Sequence, residues 1–265
     1  MSLNDSTAVI LCGGSGIILD TDTGRIPKAL IPLGDRALVW HVMKRFYLFG
    51  VKKFVLACGY GNNEIRDYFI NFSKYNLDIA FNQQDNTIKY YGQGEDRDWQ
   101  INFINTGIEA NTGARIARLK DYLRDEDKFF VAYSDCISNI NIKDLYDNFQ
   151  KNSLTASVTG VKPIYRYGEF ICNDSEVTDY NSMSQISSER GWINGGYMLL
   201  SNKIFDYINV NKECCLEKEV FKQLVQDKEL ELYKHNDFWC AVDHQRDVSY
   251  LNDLWYKNNM VWLKA

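Results

Sequence analysis

The amino-acid sequence predicts an α/β fold with a central, mostly parallel mixed β-sheet and a small added β region in the second half. Short apolar runs of strand-forming residues alternate with amphipathic runs at helical spacing through the first half of the chain. A glycine-rich segment directly follows the first of these strands, at the edge where open α/β sheets bind ligands. The chain has 265 residues, of which 45% are hydrophobic, so it can bury a substantial core.

The predicted elements of the first half follow βαβ order. A strand over Thr7–Leu11 precedes a helix over Ala37–Phe49, whose apolar residues recur at helical spacing. Because parallel strands are joined by right-handed crossovers, we expect the strands to share one sheet. The other elements predicted here are the strands Phe54–Cys58, Asp78–Phe81, Ile101–Asn105 and Phe129–Tyr133, and the helices Glu64–Phe72 and about Gly113–Leu123.

The second half has a different pattern. After a helix predicted over Ile142–Lys151, short strand-like runs follow one another without long helices between them, which indicates mixed or antiparallel pairing. A helix around Leu216–Asp227 and a terminal helix over Val248–Lys257 complete the chain. The strands predicted here are Leu154–Val161, Glu169–Cys172, Val177–Tyr180, Tyr197–Leu200 and Glu231–His235.

Composition and charge exclude several classes of partner. Charged residues make up 25% of the chain and the net charge is −5, so no overall positive field attracts nucleic acid or an anionic membrane. The sequence has no run of eighteen apolar residues and no basic segment followed by an apolar one at its start, so we expect a cytoplasmic protein. Seven cysteines without a Cys-x-x-Cys pair, and three scattered histidines, predict reduced thiols rather than a metal or redox site.

The segment Gly13-Gly14-Ser15-Gly16, with Lys28 twelve residues further on, has the composition of a phosphate-binding loop. Glycines let main-chain N–H groups approach phosphate oxygens closely, and a lysine adds positive charge. A Walker-type loop is excluded because Ile17 and Ile18 stand where Lys and Ser or Thr are required. A dinucleotide-binding loop is disfavoured because Leu19 replaces its third glycine. A simple tight turn stays open as the alternative.

Two aspartates are candidate metal ligands. Asp135 directly follows the hydrophobic strand Phe129–Tyr133, and Asp243 stands at the end of an apolar run. Hard cations such as Mg²⁺ prefer oxygen donors and complete their coordination with phosphate oxygens. One magnesium ion bound by both aspartates and by phosphates would be chemically reasonable, whereas a turn-capping role is the alternative for Asp135.

Two further segments combine glycine with polar groups. Arg115 opens a predicted helix, where a cation is disfavoured by the helix dipole unless an anion is close. An ordinary exposed arginine is the alternative. Asn194-Gly195-Gly196 allows close approach of a ligand, or marks a β-bulge.

A series of short segments, taken in order, resembles one known family. These segments are Leu11-Cys12-Gly13-Gly14-Ser15-Gly16, Pro27-Lys28, Leu38-Val39-Trp40-His41-Val42-Met43-Lys44, Cys58-Gly59-Tyr60, Thr106-Gly107, Thr112-Gly113-Ala114-Arg115, Tyr133-Ser134-Asp135, Ile193-Asn194-Gly195-Gly196, and Phe238-Trp239 with Asp243 and Arg246-Asp247. They resemble glucose-1-phosphate cytidylyltransferases, and the resemblance extends from about residue 7 to residue 263.

The resemblance implies a Rossmann-like, three-layer nucleotidyltransferase fold. It implies Mg²⁺-dependent transfer of a nucleotidyl group, in this branch cytidylyl from CTP, to a sugar 1-phosphate or related phosphorylated acceptor, with release of pyrophosphate. The product would be a CDP-sugar for surface polysaccharide assembly, and the protein would form a homo-oligomer. We expect a single domain over residues 1–265, with a nucleotide-binding half over about 1–150 and an acceptor-binding half over about 151–265.

The resemblance also implies roles for individual residues. Catalysis falls to Lys28, Asp135 and Asp243, and the two aspartates would also bind the metal. The nucleotide-binding residues would be Leu11, Cys12, Gly13, Gly14, Ser15, Gly16, Lys28, Thr106, Arg115 and Ser134. The acceptor-binding residues would be Tyr133, Asn194, Gly195 and Gly196.

The chain departs from the family at three places. The family has an arginine in the glycine loop where this chain has Ile17-Ile18, and the nearby Arg25 is a possible substitute. The family's Glu-Lys-Pro before Asn-Gly-Gly is absent, which leaves Lys162 or Arg190 for the acceptor phosphate. The family's Gly-Asp-Gly has become Ser134-Asp135-Cys136.

These departures leave two functions open. One is an active transferase with an altered acceptor. The other is a catalytically impaired homologue that acts as a nucleotide-binding regulatory or structural subunit. An NAD-binding enzyme is a third and weaker alternative, because the third glycine of the dinucleotide loop is absent.

Overall fold

A computed structural model describes residues 3–14, 17–18, 25–75, 77–91, 96, 98–152, 154–162, 169–173, 176–181 and 191–264. The strands are β1 (Thr7–Cys12), β2 (Ile17–Ile18), β3 (Arg25–Ile26), β4 (Pro32–Leu33), β5 (Arg36–Ala37), β6 (Lys53–Cys58), β7 (Asp78–Asn82), β8 (Thr87–Tyr91), β9 (Gln100–Asn105), β10 (Lys128–Tyr133), β11 (Cys136–Ser138), β12 (Ala156–Val161), β13 (Glu169–Asn173), β14 (Glu176–Asn181), β15 (Ile193–Ser201), β16 (Leu230–His235) and β17 (Trp239–Ala241). The α-helices are α1 (Leu38–Tyr47), α2 (Asn62–Tyr75), α3 (Thr112–Ala117), α4 (Ile142–Asn152), α5 (Phe221–Gln226) and α6 (Gln245–Tyr256).

Seven strands form the central sheet, in the order β16-β12-β15-β10-β1-β6-β9. Every neighbouring pair is parallel except the two pairs that involve β15, which is antiparallel to both β10 and β12. The predicted mostly parallel mixed sheet is therefore confirmed. The interior strand β1, which pairs with β10 on one side and β6 on the other, is buried along its whole length, as expected for a strand covered on both faces.

The two faces of the sheet carry separate hydrophobic cores, because side chains alternate along each strand. In β1, Ala8 and Ile10 face a core that includes residues of α1, α4 and α6. Val9 and Leu11 face the opposite core, which includes residues of α3 and α5. Helices on both faces give the three layers that the resemblance implied.

Three elements differ from the predictions. The helix predicted to extend to Leu123 ends at Ala117 and is followed by a short 3₁₀ turn at Lys120–Tyr122. The predicted helix around Leu216–Asp227 starts with a π-helical turn, Leu216–Val220, before α5. The strand predicted to begin at Tyr197 begins at Ile193, because the glycine pair lies inside it at a β-bulge opposite β12.

The strand predicted over Asp78–Phe81 is confirmed as β7, but it lies outside the central sheet. It pairs with β8, which the sequence did not indicate, in a two-stranded antiparallel sheet. Ile79 stands opposite Tyr90 and Phe81 opposite Ile88, and all four side chains are exposed. Among the helices that the structure describes, none is both long and apolar enough to cross a membrane.

Candidate active site

A cleft of about 280 Å³ lies at the carboxyl ends of β1 and β10. The two strands are parallel neighbours with Leu11 opposite Tyr133, so the chain leaves both at the same edge of the sheet. The following loops, Gly13-Gly14 and Ser134-Asp135, therefore lie side by side. The residues predicted from the sequence that line the cleft are Leu11, Cys12, Gly13, Gly14, Lys28, Arg115, Tyr133, Ser134 and Asp135.

Lys28 connects the two predicted metal-binding aspartates. Its Nζ donates hydrogen bonds to Asp135 Oδ2 at 3.0 Å and to Asp243 Oδ1 at 2.9 Å. Burial acts to lower the pKa of Lys28, but the charges and hydrogen bonds of the two carboxylates outweigh it and raise the pKa above its ordinary value. The ammonium group is therefore charged at neutral pH, and the three residues form one cluster at the cleft.

A pair of short strands brings Asp243 to Asp135. In the antiparallel sheet of β11 and β17, Cys136 stands opposite Ala241. Immediately beside this pair, the Val242 amide donates a 2.9 Å hydrogen bond to the Asp135 carbonyl. Three-residue strands have no clear sequence signal, so the sequence predicted both aspartates but not the sheet that joins them.

The backbone at Asp243 is held by the start of α6. The buried carboxylate of Asp247 accepts hydrogen bonds from the Asp243 amide at 3.0 Å and from the His244 amide at 2.9 Å. Asp247 thus satisfies donors at the helix N-terminus, and His244 is the N-cap residue. A carboxylate at this end is also favoured by the helix dipole. Asp247 therefore positions the residue that contacts Lys28.

We expect Asp247→Ala to weaken both folding and catalysis. Loss of the helix cap should lower the free energy of unfolding by about 1–2 kcal/mol, as measured by urea denaturation. Loss of the bond to the Asp243 amide should lower kcat/KM about tenfold, because small displacements of catalytic groups are costly. Asp253→Ala, at an exposed position of the same helix, is the matched control. Equal effects of the two substitutions would contradict the positioning role.

Arg115 is buried, so the alternative of an ordinary exposed arginine is wrong. Its Nη2 donates to the carbonyl oxygens of Gly13 at 2.6 Å and Ile108 at 3.1 Å. Its Nη1 donates to the Gly107 carbonyl at 2.7 Å and to Thr106 Oγ1 at 2.8 Å. Burial lowers the pKa of Arg115 from its ordinary value. The guanidinium group thus ties the glycine loop to the segment before α3, while its predicted contact with the nucleotide stays a prediction.

This packing explains one glycine and places Thr106. A Cβ atom at Gly13 would lie 1.9 Å from Arg115 Nη1, so no larger residue fits against the guanidinium group. Thr106 is 1% exposed, and its hydroxyl donates to the Cys58 carbonyl at 2.7 Å while it accepts from Arg115. Thr106 therefore lies behind Arg115 and away from the cleft lining, and its nucleotide contact stays a prediction.

The predicted acceptor-binding residues come together beside the cleft. Asn194 Nδ2 donates to the Tyr133 hydroxyl at 3.1 Å, and Asn194 Oδ1 accepts from the Gly196 amide at 2.9 Å. Gly196 has φ of +77°, a value that favours glycine, and its Cα faces the Tyr133 ring. The Gly195 carbonyl accepts a 2.8 Å hydrogen bond from Trp239 Nε1. β15 is thus held against both β10 and β17 at this point.

The structure adds Glu217, which sequence reasoning missed. Its carboxylate accepts hydrogen bonds from the Tyr133 hydroxyl, from Thr112 Oγ1 at 2.7 Å and from Cys215 Sγ at 3.0 Å. Partial desolvation by its neighbours acts to raise the pKa of Glu217, but the hydrogen bonds outweigh this effect and lower the pKa below its ordinary value. Glu217 lies in an ordinary-looking run of charged helix residues, so the sequence held no signal that set it apart.

Several predicted residues lie outside the described part of the chain: Ser15 and Gly16 of the glycine loop, and Arg190. The backbone of Ile18 pairs with that of Arg25 between β2 and β3. Lys162 Nζ lies 4.9 Å from the centre of the Trp192 ring.

No histidine lines the described cleft, and Cys12 is the one cysteine that does. His41 is buried, accepts a hydrogen bond from Trp262 Nε1 at Nδ1 and lies 2.9 Å from the Leu33 carbonyl through Nε2. Burial lowers the pKa of His41 to about 4, so it is neutral. Burial raises the pKa of the Cys12 thiol, which lines the cleft. The cysteines whose side chains are described are free, which agrees with the prediction of reduced thiols.

Known proteins are similar to this chain over nearly its whole length. The family described as nucleotidyl transferase matches residues 7–259. The chain is 34% identical over 256 residues to the probable glucose-1-phosphate cytidylyltransferase of Bacillus subtilis, with 96% of this chain and 98% of the relative covered. It is 30% identical over 255 residues to the glucose-1-phosphate cytidylyltransferase of Salmonella typhimurium, again with 96% and 98% covered.

Two solved structures show the same fold at low sequence identity. One is the inositol-1-phosphate CTP transferase from T. maritima, with a TM-score of 0.63, 15% identity and 95% of each chain covered. The other is UDP-glucose pyrophosphorylase complexed with UDP-glucose, with a TM-score of 0.67, 16% identity, and 96% of this chain and 99% of that chain covered.

Proposed function

Because the chain belongs to the nucleotidyl transferase family, as its sequence motifs predicted, we propose that it transfers a cytidylyl group from CTP to a sugar 1-phosphate and releases pyrophosphate. One observation carries the proposal. Lys28 lies between the carboxylates of Asp135 and Asp243, beside a glycine loop at the carboxyl end of β1. A cation next to a glycine-rich loop suits a triphosphate, and paired carboxylates suit the divalent cation that accompanies it.

In this reaction, a phosphate oxygen of the acceptor attacks the α-phosphorus of CTP. The new P–O bond forms as the bond from the α-phosphorus to the bridging oxygen breaks, and the departing pyrophosphate keeps the electron pair. This chemistry needs positioned phosphates and positive charge rather than strong acid–base catalysis. Gly13, Gly14 and Lys28 line the cleft, and we propose that the two amides and the ammonium group supply that charge.

The residues present fit a divalent cation. The carboxylates of Asp135 and Asp243 lie within hydrogen-bond distance of one ammonium group, and their oxygens are the hard donors that Mg²⁺ prefers. The described residues contain no group of three or more His, Cys, Asp or Glu side chains suited to a metal. We therefore propose that these two aspartates bind Mg²⁺ together with phosphate oxygens of CTP. Bound Mg²⁺ would neutralise charge on the reacting phosphates.

The cellular setting is part of the same proposal. Free cysteines agree with a reducing cytoplasm, and the resemblance implies a CDP-sugar for surface polysaccharide assembly. The expected homo-oligomer stays a prediction.

Pyrophosphate release tests the proposed function. The purified chain is incubated with Mg²⁺ and each nucleoside triphosphate, together with a panel of sugar 1-phosphates and other small phosphorylated acceptors. We expect turnover with CTP in preference to the other nucleotides, for at least one sugar 1-phosphate. Tight CTP binding without turnover on any acceptor would overturn the proposal.

A specific observation favours the alternative of an impaired homologue. The aliphatic pair Ile17-Ile18 stands where the resemblance calls for an arginine facing the phosphates. Ile18→Arg distinguishes the two functions, because one preorganised charge is worth about a hundredfold or more in rate. If the wild type is inactive and the variant is active, catalysis has been lost in this chain. If the wild type is active and the variant is unchanged or slower, the impaired-homologue reading is wrong.

A further inference from the structure

The hydroxyl groups that contact Glu217 are part of the cleft itself. Thr112 and Tyr133, which donate to its carboxylate, line the same cleft as Lys28 and Asp135. Glu217 does not itself line the cleft, but it is exposed beside these two lining residues. The Glu217 carboxylate therefore lies directly against the hydroxyl groups of two cleft-lining residues, and its side chain is held in place by these hydroxyl groups and the Cys215 thiol.

Glu217 is also linked to the predicted acceptor site. Asn194 Nδ2 donates to the Tyr133 hydroxyl, which in turn donates to Glu217. The chain of hydrogen bonds thus connects β15, β10 and the π-helical turn Leu216–Val220. An amide and a carboxylate offer a donor and an acceptor, and a hydroxyl group of a ligand can use both.

The hydrogen-bond partners of the Glu217 carboxylate carry no positive charge. Among the residues that the structure describes, no lysine, arginine or histidine forms an ion pair with Glu217. Its three side-chain partners are neutral donors. An uncompensated negative charge attracts groups that donate hydrogen bonds and repels a second anion.

We propose that Glu217 determines acceptor specificity by accepting hydrogen bonds from the hydroxyl groups of a neutral, polyhydroxylated acceptor and by repelling acceptors with a carboxylate on the sugar. The proposal rests on the proposed function, since it assigns the substrate class of the same site. Two of the donors to the carboxylate in this structure are hydroxyl groups, so its surroundings already accommodate hydroxyl groups, and a carboxylate has acceptor positions for further donors.

The test compares three acceptors: glucose 1-phosphate, which is neutral apart from its phosphate; glucosamine 1-phosphate, which adds a cation; and glucuronic acid 1-phosphate, which adds a carboxylate. In the wild type we expect kcat/KM to be highest for the neutral sugar. In Glu217→Gln we expect KM for the neutral sugar to rise about tenfold, because a hydrogen bond to a charged group becomes one to a neutral group. In the same variant, the ratio of kcat/KM for the neutral sugar to kcat/KM for the carboxylated sugar should fall about tenfold. The KM for CTP should stay within about twofold of the wild-type value.

Two variants separate direct recognition from a structural role. Glu219→Gln changes an exposed acid in the same π-helical turn and should match the wild type. Tyr133→Phe removes a donor to Glu217 but keeps the charge, so it should retain the discrimination against the carboxylated sugar. The same relief of discrimination in Tyr133→Phe and Glu217→Gln would overturn the proposal, as would a preference of the wild type for the cationic sugar.

Calorimetric binding of the acceptors distinguishes the failure of this proposal from failure of the proposed function. If the wild type neither binds nor turns over any of the sugar phosphates, the proposed function is wrong, and the assignment of Glu217 is wrong with it. If the wild type binds and turns over the neutral sugar but Glu217→Gln gives the same constants for all three acceptors, only the assignment of Glu217 is wrong.

Discussion

Lys28→Met is expected to lower kcat/KM for CTP by about a thousandfold. Removal of a single preorganised electrostatic contact commonly costs a hundredfold to a thousandfold in rate. Lys28 has a second effect, because its ammonium group holds the carboxylates of Asp135 and Asp243 close to each other. Its Nζ lies 3.0 Å from Asp135 Oδ2 and 2.9 Å from Asp243 Oδ1. Without it, two negative charges face each other beside the triphosphate. Steady-state kinetics at saturating acceptor measure the loss.

The same substitution should increase binding of a divalent cation in the absence of nucleotide. In the structure the ammonium group of Lys28 contacts both carboxylates, so it competes with any cation for them. Its removal leaves the two carboxylates without that partner, and we expect Mn²⁺ affinity, measured by electron paramagnetic resonance, to rise several-fold. Lys212→Met, which removes an exposed ion pair with Glu109, is the control for loss of a lysine charge. Activity within tenfold of the wild type in Lys28→Met would contradict the catalytic role.

Arg115→Met is expected to be the most destabilising single change at the site. It removes hydrogen bonds to the carbonyl oxygens of Gly13, Gly107 and Ile108 and to the Thr106 hydroxyl, and it leaves buried acceptors without donors. We expect the free energy of unfolding to fall by about 3–5 kcal/mol, since each buried unsatisfied polar group costs about 1–3 kcal/mol. Chemical denaturation measures this change, and CTP affinity should fall with it because the glycine loop is no longer held.

Two further variants test this interpretation. Arg115→Lys should be nearly as destabilising, because a single ammonium group cannot reproduce a fork of donors that reaches several carbonyl groups. Arg118→Met, at the end of the same helix and bonded to the carbonyls of Thr106 and Val210, should cost less, about 1–2 kcal/mol. If Arg115→Met leaves stability unchanged and lowers CTP affinity alone, Arg115 contacts the nucleotide directly, as the resemblance implied.

The fold was largely predictable because its signals are local. β1, β6 and β10 are mostly buried apolar runs separated by amphipathic segments, and this alternation indicates both the element type and a parallel sheet. The predictions of strands were wrong where a strand was too short to show an alternating pattern or where glycines interrupted that pattern. The three-residue strands β11 and β17 went unpredicted, and a glycine pair concealed the start of β15. In β7 the strand was predicted, but its exclusion from the central sheet was not.

The site was predictable only where the type and position of a residue indicate a particular chemistry. Glycines after a strand, a nearby lysine and two acids at strand ends indicated a phosphate and metal site, and the structure brings Lys28, Asp135 and Asp243 together. Arg115 was predicted as a group facing the nucleotide, whereas the structure shows its donors directed at main-chain carbonyls. Glu217 was missed, because nothing in its neighbourhood in the sequence distinguishes it from other acids.

The sequence by itself established the α/β class, the family and the residue types available for phosphate and metal chemistry, because periodicity and short motifs depend on neighbours in the chain. The folded arrangement was needed to show that Lys28 meets an aspartate 215 residues away, that Arg115 holds a glycine 102 residues away, and that Tyr133 contacts an acid 84 residues away. The order of strands in the sheet and the small β11–β17 pair create these contacts. Such pairings depend on long-range packing, so no local pattern records them.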